Sequence, residues 1–488
     1  MAKRTKIAGA EFIVAFDGVK HRLIPNGDII YQGDTIIYVG QDYSEPVDEI
    51  IDASDYVVIP GLISLHAHLM YESKCKGFIE EVTSRKLWKT SLYEYIMPLE
   101  EAAFPEDAMW VLRYGLTDIL KGGCTTVADM SHPTDEAIEV YGESGIRAYV
   151  AYMYRDASWN TPNGHELCYK WDLEKGRAGL HRAVELIEKH SGRFDDRFRG
   201  YLCPLTVDNC TPELLRETKV IQKQLKVPVQ IHASQAVAEF WEMMRRHGMT
   251  PIEWLGSLGF LDSDTILGHA VYLNHHTSIR YRDHDDLALI AETGATVAHC
   301  PWVFGRRGQH LESFGRYLQR GVNLGIGTDT IPLDILESMR WACAFGKNVE
   351  DDPACPTAAQ VFDAATLGGA KALGRKDLGR ITPGAKADMV LINANTIPMR
   401  PMRDPIKNIL YAATSRSIDK VIVNGRVVVN NGRVLFLDED ELTREMQRIA
   451  KRTWDNIPNH DSQRRTVDEL SPLSYQLWDG KVRNKTAE

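Results

Sequence analysis

The chain has 488 residues, 44% hydrophobic and 25% charged, a composition that excludes a disordered, collagen-like or purely coiled-coil protein. Its 57 Lys and Arg stand against 67 Asp and Glu, formally −10, so it lacks the electrostatic footprint of a general nucleic-acid or anionic-membrane binder. Its eight cysteines form no Cys-x-x-Cys pair, which argues against a disulfide scaffold or thiolate zinc site and reads as the reduced thiols of a cytoplasmic protein.

In chain order, residues 12–16, 28–31 and 35–39 read as short strands separated by Asn-Gly, Gln-Gly and Gly-Gln breaks. From Val57 the pattern changes to buried-strand candidates at 57–69, 124–130, 146–153, 200–205, 227–233, 265–273, 295–300 and 322–327. Amphipathic stretches such as 106–121, 179–190, 211–225 and 312–320 fall between them. Strand-then-helix repeated eight times predicts a (β/α)8 barrel, and near-continuous apolar strands fit a parallel sheet buried on both faces. After a helical stretch at 357–373, a second β-rich section runs to about Val434, with a hairpin signal at Val423-Asn424-Gly425-Arg426. The two β-rich ends are expected to pair into one small composite β-sandwich, residues 1–58 and 379–437, beside a barrel of 59–378. Residues 438–488 read as a charged helix and an irregular tail; Trp478 suggests that the tail packs on a neighbouring subunit of a homo-oligomer, a dimer or tetramer. No stretch approaches the roughly 18–20 apolar residues of a membrane span.

The chemistry concentrates at strand ends. His66-Ala67-His68 closes the first barrel strand, and residues two apart on a strand point to one side. His232 closes the fifth strand, His269 the sixth and Asp329 the eighth, each ending an apolar run where an unpaired imidazole or carboxylate would be costly. Five such residues at the carboxyl ends of strands of one barrel point to a metal centre at its catalytic face. Four His and one Asp suit one divalent ion, Zn2+ first, with Fe2+, Mn2+ or Co2+ as alternatives. Such an ion lowers the pKa of a bound water towards about 7 and so provides a nucleophile at neutral pH.

The set Pro60-Gly61-Leu62-Ile63-Ser64-Leu65-His66-Ala67-His68, His232, His269 and Asp329, with Ala387-Asp388-Met389-Val390-Leu391-Ile392 after Pro383-Gly384, resembles the amidohydrolase superfamily over about residues 10–435. Within it the chain looks like the branch of cytosine and guanine deaminases and triazine hydrolases. The resemblance implies a distorted (β/α)8 barrel with a composite sandwich, and a metal held by His66, His68, His232 and Asp329. It makes His269 a ligand or a hydrogen-bond partner of the bound water, and Asp329 the base that takes a proton from water and delivers it to the leaving nitrogen. Two-metal relatives bridge their ions with a lysine at the end of strand four; here that strand reads Gly200-Tyr201-Leu202-Cys203-Pro204-Leu205-Thr206, so one metal is expected.

Deaminases of this branch carry a glutamate three residues after the strand-five histidine, where this chain has Gln235. An amide donates a hydrogen bond but cannot shuttle a proton, which favours hydrolysis of an acyclic urea, carbamate or amide over deamination of a ring. The surroundings of Gln235, Gly327-Thr328-Asp329-Thr330 and the tail Leu470-Ser471-Pro472 are similar to the phenylurea and thiocarbamate hydrolases. Glu72 and Glu239 are candidate substitute acids, Glu239 being expected on a solvated helix face.

Candidate substrate contacts follow the strands: Tyr71 and Glu72 after strand one; Tyr154, Arg155 and Trp159 after strand three; His299, Trp302, Phe304 and Arg306 at and after strand seven. His275, His276 and His284 are expected at the surface or rim. Cys300 is not read as a nucleophile, because no base is placed for it. The expected activity is thus a mononuclear metal-dependent hydrolysis of a non-peptide C–N bond in a small molecule. The alternatives are an aminohydrolase of a nitrogen heterocycle (triazine, pyrimidine, purine or pterin) and a non-catalytic scaffold on the same fold.

Overall fold

The computed structural model describes residues 2–82, 84–281 and 283–478, and the side chains of Glu72 and Ser73 lie outside the described residues. Eight parallel strands form the barrel: Leu62–Ala67, Cys124–Ser131, Arg147–Tyr154, Phe198–Pro204, Val229–Ala233, Thr265–His269, Thr296–His299 and Asn323–Ile326. Helices follow them, among them Ala108–Lys121, Leu173–His190, Pro212–Leu225 and Ile335–Glu350. Their buried faces and the strands form one large core, as a parallel sheet covered by helices requires. Thr211 caps the helix Pro212–Leu225, accepting from the Leu214 N–H with Pro212 in the first turn.

The apolar run expected as one strand over 57–69 is two. Tyr56–Pro60 belongs to the terminal sheet and Leu62–Ala67 to the barrel. Gly61 makes the passage: a Cβ there would overlap the Thr125 side chain, and its N–H donates to the Asp388 carbonyl at 2.9 Å. A periodicity argument could not see that break, because both halves are buried strands.

The barrel closes where the chemistry sits. Ala67 bridges to Asp329; the N–H groups of Thr328 and Asp329 both donate to the His66 carbonyl, at 3.1 and 2.8 Å, and the His68 N–H donates to the Asp329 carbonyl at 3.0 Å. The seam between the first and last strands therefore fixes His66, His68 and Asp329 relative to one another through the backbone.

The two chain ends share one nine-stranded sheet. Arg4–Phe16 pairs antiparallel with His21–Gln32 on one side and parallel with Glu49–Asp52 and Tyr56–Pro60 on the other. Met389–Asn393 joins Tyr56–Pro60 antiparallel, and Ile418–Val423 and Arg426–Asn430 continue the order. Ile7, Ile13, Ile29, Val58, Met389, Leu391 and Ile422 form its own core. The Asn424-Gly425 hairpin appears with both residues at positive φ, 52° and 76°, the two-residue turn that matches strand twist. The Asn26-Gly27 pair, by contrast, does not break the chain: His21–Gln32 runs through it, with Asn26 at φ 49° and Gly27 opposite Ala10. A tertiary pairing partner on each side overrides the local turn preference.

The helix Glu439–Asn456 and the stretch after it pack on this chain's own residues, with Ile457 and Leu470 in one buried cluster with Phe78, Ile96 and Leu99. The side chain of Trp478 is 75% exposed. Among the described residues no helix is long and apolar enough to cross a membrane.

Candidate metal centre and substrate cavity

His66, His68, His232, His269 and Asp329, predicted from the ends of four strands, converge at the carboxyl end of the barrel. Asp329 Oδ1 lies 3.9 Å from His66 Nε2 and 3.7 Å from His68 Nε2, and its Oδ2 lies 3.5 Å from His269 Nε2. The rings of His66 and His232 sit 4.9 Å apart, and a ligand nitrogen from each of His66, His68 and His232 lies within 4.8 Å of the others. Asp329 adopts a positive φ of 58°, a conformation that a non-glycine residue keeps only where its surroundings enforce it, here the closing seam. Gly268 makes room for the cluster: a Cβ on it would approach the His66 ring to 2.7 Å.

The donor set fits a divalent cation. His68 Nδ1 is taken by the Met130 carbonyl at 3.1 Å and His232 Nδ1 by the Leu205 carbonyl at 2.7 Å, which leaves Nε2 of each turned to the cluster. Both ring nitrogens of His66 and Nδ1 of His269 are buried without a hydrogen-bond partner. Burial, reinforced by the neighbouring imidazoles, pushes His66 and His269 well below the usual histidine range and His232 down to about 3, so all three are neutral and can coordinate. Burial lifts Asp329 to about 6 against the pull of Arg307 and Arg306. The Cys300 sulfur also lies within 4.8 Å of ligand atoms of His66, His269 and Asp329, while burial holds its thiol well above the ordinary range.

Asp129, unrecognised in the sequence, stands behind this group. It is fully buried at the end of strand two, accepts the Leu69 N–H at 2.7 Å and a hydrogen bond from the Tyr141 hydroxyl, so it steadies the stretch that carries His68. A charge inside the apolar run Val127-Ala128-Asp129-Met130 was the same signal that marked His232.

The cluster forms the floor of a cavity of about 1020 Å³ including its solvent-open part. Of the expected substrate contacts, Tyr71, Tyr154, Gln235 and Phe304 line it, as do Arg155 and Trp159. The Tyr154 hydroxyl points away, to Thr218 Oγ1 at 3.0 Å, so its ring forms the wall. Trp302, Arg306 and His299 lie outside the wall, and these three expectations are corrected. The short helix Pro301–Gly305 explains two of them, because Val303, Phe304 and Arg307 share one face and Trp302 and Arg306 the other. Trp302 stacks on Trp341 at 5.0 Å, and Arg306 donates to the Ile331 carbonyl and Thr330 Oγ1 at 2.9 and 3.1 Å. His299 is buried beside Phe314, and burial lowers its pKa to about 3.

Several wall residues escaped the sequence reading, among them His132, Glu100, Thr206 and Arg307. His132 follows strand two and is hydrogen-bonded through Nδ1 to the Tyr71 hydroxyl. Its place just after a barrel strand was the available signal. Glu100 comes from the long excursion between strand one and its helix and left no such mark.

Glu239 is the clearest correction. It is fully buried rather than solvated, and its two carboxyl oxygens accept the N–H groups of Ser234 and Gln235 at 2.6 and 3.0 Å. Burial and the Asp208 charge push its pKa well above the carboxylate range. It is absent from the cavity wall; it fixes the turn that carries Gln235. Glu72 has its side chain outside the described residues. His276, expected at the rim, is buried against Glu312 and the His310 carbonyl.

The amidohydrolase family profile matches residues 57–428. The chain belongs to this family. It is 30% identical over 422 residues to the 5'-deoxyadenosine deaminase of Methanothermobacter thermautotrophicus, covering 85% of this chain and 92% of that protein. It is 30% identical over 429 residues to the 5-methylthioadenosine/S-adenosylhomocysteine deaminase of Natronomonas pharaonis, covering 87% and 91%. Among solved structures it resembles a zinc-bound adenosine deaminase from Xanthomonas campestris, with TM-score 0.78, 22% identity and coverage of 92% and 98%. It also resembles the zinc complex of an atrazine chlorohydrolase from Arthrobacter aurescens TC1, with TM-score 0.77, 24% identity and coverage of 91% and 100%. The barrel, the amidohydrolase membership and the class of hydrolase acting on C–N bonds thus stand as read from the residues.

Proposed function

We propose that the protein is an aminohydrolase that replaces an amine on a small nitrogen heterocycle with oxygen from water. The observation that carries the reading is the convergence of His66, His68, His232, His269 and Asp329 on the floor of a cavity of small-molecule size. The similarity to deaminases along 85% of the chain turns it towards heterocycles and away from the ureas and carbamates expected above.

His66, His68, His232 and Asp329 would hold one divalent ion, zinc first by donor chemistry, with His269 beside it. A bound ion there supplies Lewis acidity and eases the ionisation of water. The chain's own residues supply the rest. Asp329 takes the proton from water as its oxygen adds to the amine-bearing carbon, then hands it to the departing nitrogen as the C–N bond breaks. Gln235 donates a hydrogen bond from the wall but no proton. Among the described residues, Glu100 is the wall's other carboxyl. Tyr71, Phe304 and Trp159 offer aromatic faces to a planar ring.

Gln235 favours a second reading, hydrolysis of an acyclic amide or urea, whose carbonyl needs no ring acid. A mass-spectrometric assay of zinc-loaded protein separates the two. The panel holds 5'-deoxyadenosine, amino-triazines and amino-pyrimidines together with N-aryl ureas, carbamates and anilides. An intact ring with its amine exchanged for oxygen is the expected product. Cleavage of only the linear compounds into an amine and an acid-side fragment would replace this reading with the second.

A further inference from the structure

The chain between strand one and its helix, 68–107, is a 40-residue excursion with only short helical turns. Segments of this length inside a compact domain need something to pack on. One part of it, Leu92–Glu101, turns Leu92, Ile96, Met97 and Glu100 into the cavity. Its other side meets the C-terminal segment. Ile96, Leu99 and Ala102 share a buried cluster with Ile457 and Leu470, joined by Tyr95, Trp454 and Val467. The polar contacts are equally specific. Arg465 donates from Nη1 to Glu94 Oε1 at 3.0 Å while its Nε and Nη2 hold Asp461, at 3.1 and 2.8 Å. Asn456 donates to the Ala102 carbonyl at 2.9 Å and Trp454 to the Lys74 carbonyl at 3.0 Å. The segment lies beyond residue 428, where the family match ends.

We infer that the C-terminal segment 454–470 is a clamp that holds one wall of the substrate cavity in place, with Arg465 as its positioning residue. The family barrel carries the floor, and this added segment shapes the wall that a substrate meets, so it acts on substrate affinity rather than on the bond-breaking step. The inference rests on the reading of the cavity as the substrate site.

The test compares wild type, Arg465→Ala, Arg465→Lys and a chain ending at Asn456, all zinc-loaded. Amide hydrogen exchange is followed by mass spectrometry over 92–101 and over the barrel strands. Arg465→Ala should speed exchange of 92–101 about fivefold, and Arg465→Lys should restore most of the protection. The truncated chain should speed it more than tenfold, with strand protection and zinc content unchanged in all. With the panel compound that wild type converts, Arg465→Ala should raise KM about threefold or more and leave kcat within twofold. Unchanged exchange at 92–101 in Arg465→Ala and in the truncated chain, or a fall in kcat with KM constant, would overturn the clamp. Faster exchange with no panel compound converted by wild type would support the clamp and count against the aminohydrolase reading instead.

Discussion

Arg147 opens barrel strand three and is wholly buried at the face opposite the metal centre. Its guanidinium meets Asp388 twice, Nε to Oδ2 at 2.9 Å and Nη2 to Oδ1 at 3.2 Å, and also reaches Asn424 Oδ1 at 2.8 Å and the Asp196 carbonyl at 3.1 Å. Asp388 in turn accepts the Asn424 N–H at 2.7 Å, so this one pair ties the barrel to the hairpin of the terminal sheet. Asp388→Asn keeps the shape and removes the charge, stranding a guanidinium in the interior. Breaking one side of such a pair costs about 3–5 kcal/mol, a large part of the roughly 5–15 kcal/mol that holds a domain together. The double variant Arg147→Met/Asp388→Leu removes both charges and should lose less than Asp388→Asn alone. Urea unfolding followed by far-UV circular dichroism reads the difference as a shift in midpoint, with wild type, Asp388→Asn, the singles Arg147→Met and Asp388→Leu, and the double run side by side. Zinc content should be unchanged, because the perturbation sits at the stability face of the barrel and the ligands at the catalytic face. A loss below about 1 kcal/mol for Asp388→Asn, or a double variant worse than the sum of the singles, would refute the account of a desolvated charge needing its partner.

Asp329→Asn should lower turnover by at least about 100-fold at equal zinc loading, because the proton acceptor is gone; residual activity within tenfold of wild type would remove Asp329 from that role. Gln235→Glu should raise deamination of amino-heterocycles, by up to about 100-fold if the ring acid limits the rate, while leaving hydrolysis of acyclic amides unchanged; kcat/KM on both compound classes checks it. His21 is held down to about 4, chiefly by burial, between the rings of Phe16 and Phe362. A histidine depressed below its unfolded value near 6.5 favours the neutral fold, so its contribution is full above pH 6.5 and fades as pH falls towards 4. Wild type should therefore lose about 2 kcal/mol more than His21→Gln between pH 7 and pH 5, seen as a smaller drop in Tm for the variant.

The metal centre was legible for a definite reason. Each of its five residues sits at the end of an apolar run, and a buried imidazole or carboxylate in such a place needs a partner wherever the strand goes. The same reasoning, carried through to Ala128-Asp129-Met130, would have found Asp129 as well. The substrate wall was less legible. Phe304 faces the cavity and Trp302 does not because a short helix rotates its residues about its axis, and its start was not marked strongly enough to phase that rotation. Glu239 looked like a helix residue facing water; the N–H groups of a strand-five turn that faces it drew it inside.

Local chemistry thus determined the alternation of strand and helix, the barrel, the terminal sheet and the five ligand-type residues, because periodicity and the penalty of burying a charge are properties of neighbouring residues along the chain. The tertiary structure alone decided how the pieces meet. It put Asp388 against Arg147, 241 positions away, and Arg465 against Glu94, 371 away. Such contacts depend on the path of the whole backbone, and no local spacing encodes them.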